Sequence, residues 1–141
     1  MDVTPEQFLA MGREVLAKQA FSQLLGAELV ALSPGKVELA LALTDQLKQQ
    51  DGFAHGGVVS YLADNALTYA GGTALLAPVL TAEFKINYVR LGTGQRLIAR
   101  AQADAVGKSQ AVCRCEVFAV VDGVEKLCAL AQGTIVKNEG K

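Results

Sequence analysis

The sequence predicts an α+β fold: a single antiparallel sheet with a long helix held against its concave face. Three observations carry this. Apolar residues recur at helical spacing in only two segments, near the N-terminus and from Gly57 to about Leu76. Elsewhere beyond Gly26 they alternate at period two, as half-buried strands do. Turn signals (Ser33-Pro34-Gly35, Gly92-Thr93-Gly94, Gly107-Lys108 and Asp122-Gly123) separate the alternating runs.

Taken in order, Thr4-Pro5-Glu6 followed by Phe8, Leu9, Met11, Val15 and Leu16 reads as an amphipathic helix running to about Ala20. Thr4 is its N-cap and Pro5 takes the favoured first position. Ala27 to Leu32 is a short strand, and Ser33-Pro34-Gly35 turns the chain into a partner whose Val37, Leu39, Leu41 and Leu43 face inward. A polar loop, Thr44 to Gly52, follows. From Gly57 the helical period returns, with Val58, Leu62, Ala66 and Tyr69/Ala70 on the buried side. The small residues around them let strands come close. Ser60, Asp64 and Thr68 form its one polar stripe. The remainder is strand after strand: Leu80, Ala82, Phe84, Ile86 and Tyr88 on one face of the first, then Arg96–Val106, Ser109–Val121 and Val124–Val136. Asp122-Gly123 joins the last two as a two-residue hairpin.

At 141 residues the chain is one domain, and 51% hydrophobic with 19% charged residues excludes long disorder. A net charge of −1 supplies no basic field for nucleic acid. Met1-Asp2-Val3-Thr4-Pro5 carries no signal-peptide pattern, and Ala70–Ala82 is too short and too rich in Gly and Thr to span a bilayer. The three cysteines (Cys113, Cys115 and Cys128) fit no disulfide framework, so a reducing cytoplasm is expected, with the thiols as small buried hydrophobes. With one histidine and no cysteine or glutamate at ligand spacing, neither a metal site nor a cofactor is expected.

The chemistry concentrates in one place. Between Asp51 and Glu83 the only formally charged side chain is Asp64, and His55 is the only histidine in the chain. An ionised carboxylate is costly in apolar surroundings unless something compensates it. Asp64 is therefore either a working group or an acid that faces solvent or a partner chain. The pair Gly56-Gly57 opens its helix, where orphan N–H groups suit an oxygen carrying negative charge. A carboxylate near such donors can attack an acyl carbon or activate water. Ser60 lacks an elbow motif, which argues against a serine triad. Gly107-Lys108 reads as a plain turn, or, with Arg90, as a contact for phosphates.

His55-Gly56-Gly57, with Asp64 nine residues after the histidine, resembles the signature of the hotdog-fold acyl-CoA thioesterases, in particular the phenylacetic-acid-degradation (PaaI-like) type. The likeness runs from about Phe21 to Lys137. It includes Ala63-Asp64-Asn65, the strand Thr81-Ala-Glu-Phe-Lys-Ile-Asn-Tyr-Val-Arg90, and Val106-Gly107-Lys108. It implies one hotdog domain over 1–141, with an N-terminal helix (1–20) and a core (21–137) in which a curved antiparallel sheet wraps the long helix. It also implies a homodimer with a continuous sheet, doubled to a homotetramer, whose sites are shared across subunits.

By the same resemblance the reaction is hydrolysis of an acyl-CoA to a carboxylic acid and CoA, with acyl-CoA the partner and neither nucleic acid nor membrane involved. Asp64 would be nucleophile or general base. The Gly56 N–H would polarise the thioester carbonyl, His55 would fix the loop, and Thr81 would help place the acid or water. Gln49 and Gln50 stand where many relatives have an asparagine. Gly57, Asn65, Tyr61, Phe84, Arg90, Gly107 and Lys108 would contact substrate, with Tyr61, Leu62, Tyr69 and Phe84 the candidates to line an acyl tunnel. Two rivals predict different behaviour: a hydratase or dehydratase that depends on His55, and a non-catalytic acyl-CoA-binding module that releases no thiol.

Overall fold

The computed structural model describes residues 2–139 and opens on α1 (Pro5–Ala17). Thr4 caps it reciprocally: its hydroxyl accepts from the Gln7 N–H, and the Gln7 side chain accepts from the Thr4 N–H. The helix stops short of the expected Ala20. Gln19 takes an extended backbone (φ −86°, ψ 100°) and starts a second, short helix, α2 (Ala20–Leu25), which Gly26 ends in the left-handed region at φ 76°. The break turns α2 back onto the long helix, where Ser22 is only 1% exposed and accepts a 2.6 Å hydrogen bond from the Tyr61 hydroxyl.

Six antiparallel strands follow: β1 (Glu28–Ser33), β2 (Lys36–Ala42), β3 (Val79–Tyr88), β4 (Arg96–Val106), β5 (Gln110–Val121) and β6 (Val124–Lys137). Their order across the sheet is β1-β2-β4-β5-β6-β3. Asp122 and Gly123 both have positive φ (49° and 81°), the geometry of a two-residue turn whose twist matches its strands. The edge strand β1 is covered by α1, whereas among the described residues β3 pairs only with β6 and leaves its other edge open.

The long helix α3 (Gly56–Leu75) lies in the concavity. It buries Val58, Leu62, Ala66, Tyr69 and Ala70, as its period predicts, and also Val59, Ala63, Leu67, Gly71 and Leu75. Facing them are Leu39, Leu41, Leu97, Cys113, Cys115, Val117 and Ile135. The small residues do bring helix and sheet close: a Cβ on Gly71 would stand 2.5 Å from Cβ of Ile135. Each large side chain fully buried here contributes about 1.5–3 kcal/mol. The three cysteines are free and buried within this layer, and burial pushes Cys115 up to about 12 and Cys113 and Cys128 to about 11.

β3 departs from its expected alternation. Its pairing with β6 shifts between Thr81 and Glu83, so Ala82 is an extra residue in a β-bulge. Thr81 sits opposite Ile135 and Glu83 opposite Thr134. Leu80 is thereby turned outward, 54% exposed, while Val79 and Thr81 join Phe84 and Ile86 on the sheltered side. No helix among the described residues is long and apolar enough to cross a membrane.

Candidate active site

His55 is the N-cap of α3. Its backbone N–H donates to the Leu47 carbonyl (2.9 Å), and the Ala54 N–H donates to the Gly92 carbonyl (2.8 Å), so the entry to the helix is strapped on both sides. The imidazole Nδ1 accepts from the Gly57 N–H at 2.8 Å. Capping therefore engages Gly57. The Gly56 N–H, first in the helix, has no hydrogen-bond partner among the described residues. It remains a donor at the positive end of a twenty-residue helix. The Tyr88 hydroxyl donates to the Gly56 carbonyl at 3.2 Å, and a Cβ on Gly56 would touch the tyrosine ring at 3.6 Å. The bare glycine keeps open the approach to its own N–H.

Asp64 lies further along α3, half-buried. The Thr81 hydroxyl donates to its Oδ1 at 2.7 Å, a contact that exists because the bulge turns Thr81 toward the helix. This is a charge-assisted hydrogen bond that fixes one carboxylate oxygen and leaves Oδ2 without a partner among the described residues.

The other expected residues divide. The Gln49 amide oxygen accepts from the N–H groups of Asp51 and Phe53, bracing its own loop, and Gln50 is exposed. Neither hydrogen-bonds to Asp64, His55 or Gly56. Asn65 and Tyr61 meet one turn apart: Asn65 Nδ2 donates to the Tyr61 hydroxyl (3.1 Å) and to Gln19 Oε1 (3.1 Å), while Ser22 Oγ donates to the same Gln19 oxygen (2.6 Å). The ring of Phe21 packs on Tyr61 with centroids 5.3 Å apart. Leu62 is fully buried in the core. The Tyr69 hydroxyl donates to the Gly12 carbonyl at 2.8 Å, and burial raises its pKa to about 12. Phe84 is half-buried on β3.

Arg90 follows the end of β3, whereas Gly107-Lys108 turns from β4 into β5 beside its start. A ten-residue strand is about 33 Å long, so a single chain does not bring the two cations together. Sequence reasoning missed Gln19 and Ser22, and it missed the hydroxyl of Tyr88. Nothing in local spacing marks them, because each acts on a residue at least thirty positions away.

Residues 51–126 match the family described as the thioesterase superfamily, a span that holds His55, Gly56, Gly57, Asp64 and Thr81. The chain belongs to that superfamily. This thioesterase is 31% identical over 115 residues to the acyl-coenzyme A thioesterase PaaI of Escherichia coli, covering 81% of this chain and 79% of that one. It is 30% identical over 120 residues to a 1,4-dihydroxy-2-naphthoyl-CoA hydrolase of Listeria monocytogenes, covering 83% and 95% of the two chains. A thioesterase family protein of Silicibacter pomeroyi superposes with a TM-score of 0.84 at 36% identity, over 88% of this chain and 93% of that one. The sheet order and central helix of the thioesterase are thus those of the hotdog fold, PaaI-like in type.

Proposed function

We propose that this thioesterase hydrolyses an acyl-CoA to the free acid and CoA, with Asp64 as nucleophile or general base. The observation that carries the reading is the half-buried Asp64 carboxylate, held by Thr81 on a helix whose first N–H has no partner among the described residues. Two similar proteins with CoA-ester names, the PaaI thioesterase and the naphthoyl-CoA hydrolase, support CoA as the leaving group.

Asp64 lies eight positions after Gly56, about 12 Å along the helix axis. A single thioester carbon, with a donor and a carboxylate each about 3 Å from the reacting atoms, does not span that gap. The reading therefore pairs Asp64 with Gly56 of the partner subunit. The open edge of β3 supports the same arrangement. Two such edges joined antiparallel extend the sheet and set the end of one β3 beside the start of the other. Arg90 of one protomer would then approach Lys108 of the other, which suits the phosphates of CoA.

In the reaction the thioester oxygen accepts from the glycine N–H, a donor of the kind that contributes about 3 kcal/mol to such transition states. Asp64 then either attacks the carbonyl carbon, expelling the CoA thiolate and leaving an anhydride that water opens, or takes a proton from an attacking water. His55 Nδ1 is committed to its cap, so a hydratase that needs that nitrogen is not favoured. The test is thiol release across a panel of acyl-CoA esters. Asp64→Ala should lose roughly two or more orders of magnitude in kcat while keeping the oligomer, and parental turnover in that variant would end the assignment.

A further inference from the structure

An apolar groove lies outside the catalytic arrangement. Asp64, Thr68 and Gly72 follow one another at four-residue intervals on one side of α3. Thr68 and Gly72 form the floor of an apolar groove of about 660 Å³, within the range of small-molecule sites. α1 lines it through Phe8, Met11 and Val15, and β3 through Val79. Met11 and Val15 are 55% and 53% exposed, at helical spacing, two large apolar side chains left uncovered among the described residues.

We propose that this groove takes the acyl group of the substrate, which makes α1 its specificity wall and selects a hydrocarbon acyl group over a hydroxylated or charged one. The proposal rests on the thioesterase reading above. Its first support is continuity: Thr68, which lines the groove, lies one turn from Asp64 on the same side of α3, and Val79, which also lines it, is two residues from the Thr81 that holds the Asp64 carboxylate. From Asp64 to Gly72 is about 12 Å along the axis, room for an extended acyl chain of about eight carbons.

The second support is chemical. No charged side chain lines the groove. All three of its hydroxyls donate within the protein: Thr68 to the Asn65 carbonyl, Thr73 to the Tyr69 carbonyl, and Tyr69 to the Gly12 carbonyl. The oxygen of Gln19 is taken by Ser22 and Asn65. A hydroxyl carried in by the substrate would exchange full hydration for a mostly apolar lining in which only the spare lone pairs of these same oxygens remain as acceptors, whereas each methylene buried strengthens binding up to about fourfold.

The test uses the full chain, wild type beside Met11→Trp, a substitution at an exposed position. The chain has no tryptophan of its own, so the new indole also reports on the groove. Wild type should prefer octanoyl-CoA over acetyl-CoA by about 100-fold or more in kcat/KM, and benzoyl-CoA over 4-hydroxybenzoyl-CoA by about tenfold. Met11→Trp should lower the octanoyl-to-acetyl ratio by about tenfold or more. Its emission should shift to the blue with the non-hydrolysable thioether S-octyl-CoA and not with CoA. A ratio within about twofold of the parent's, an emission change that CoA alone reproduces, or a preference for the hydroxylated ester overturns the proposal. If wild type cleaves none of the esters, the thioesterase reading itself has failed, and the emission comparison then decides the groove separately.

Discussion

Replacing Thr81 with valine tests how the acid is held. The substitution exchanges one hydroxyl for a methyl, keeps the β-branched shape opposite Ile135, and removes the 2.7 Å bond to Asp64 Oδ1. Hydrogen bonds to charged groups contribute about 1.5–3 kcal/mol net. Both partners are half-buried, so water replaces part of the loss in the ground state, and the stability cost should stay near 1 kcal/mol. The carboxylate itself is freed to rotate. If its orientation matters only when the acyl carbon is attacked, the same energy appears as a tenfold to hundredfold fall in kcat, roughly one decade per 1.4 kcal/mol. KM should stay within about threefold, since Thr81 acts through Asp64 and not on the substrate. Saturation kinetics by thiol release, with urea melts alongside, separate these quantities. Thr81→Ser should recover most of the parental kcat. A Thr81→Val enzyme with kcat within about twofold of the parent would refute the idea that this bond positions the acid.

Three further outcomes are expected. Gly71→Ala places a methyl 2.5 Å from Ile135 and should lower stability by about 1–3 kcal/mol, read as a lower urea midpoint; an unchanged midpoint would show that helix and strand are not in contact there. The buried thiols should resist a disulfide reagent at pH 8 in the native protein and react once it is unfolded. They also set a pH dependence. Folding holds their pKa values at about 11 to 12 against an ordinary 9.0, so above pH 9 the unfolded chain releases protons that the folded chain keeps. Stability from this source is full below pH 9 and falls as pH rises toward 11; urea midpoints that hold constant across that window would contradict it.

Much of this molecule is legible in local pattern. Arg96–Val106 begins and ends where alternation says, Asp122-Gly123 makes its turn, and α3 buries the residues its period selects. His55 and the glycines are readable because cap and helix start lie within three residues. What escapes has long-range causes. The chain breaks at Gln19 because Ser22 finds Tyr61, thirty-nine residues away, and no propensity near Gln19 announces it. Alternation through Leu80, Ala82 and Phe84 is unbroken in sequence and points Thr81 away from the helix. The bulge reverses that, and only the pairing with β6 reveals it. Thr81 entered the expected site through family resemblance, and its bond to Asp64 supplies a physical reason for the position.

That bulge also inverts a familiar rule about insertions and deletions. Removing one residue from a strand ordinarily swaps its inner and outer faces. In β3 the residue to remove is already supernumerary: Thr81 faces Ile135 and Glu83 faces Thr134, with Ala82 unpaired between them. A chain shortened by Ala82 could run a regular ladder through those same pairs, with the threonine still turned toward Asp64. When relatives are aligned, a one-residue gap at this point is compatible with an unchanged active site, whereas a gapless alignment across it can set the wrong residue opposite the acid.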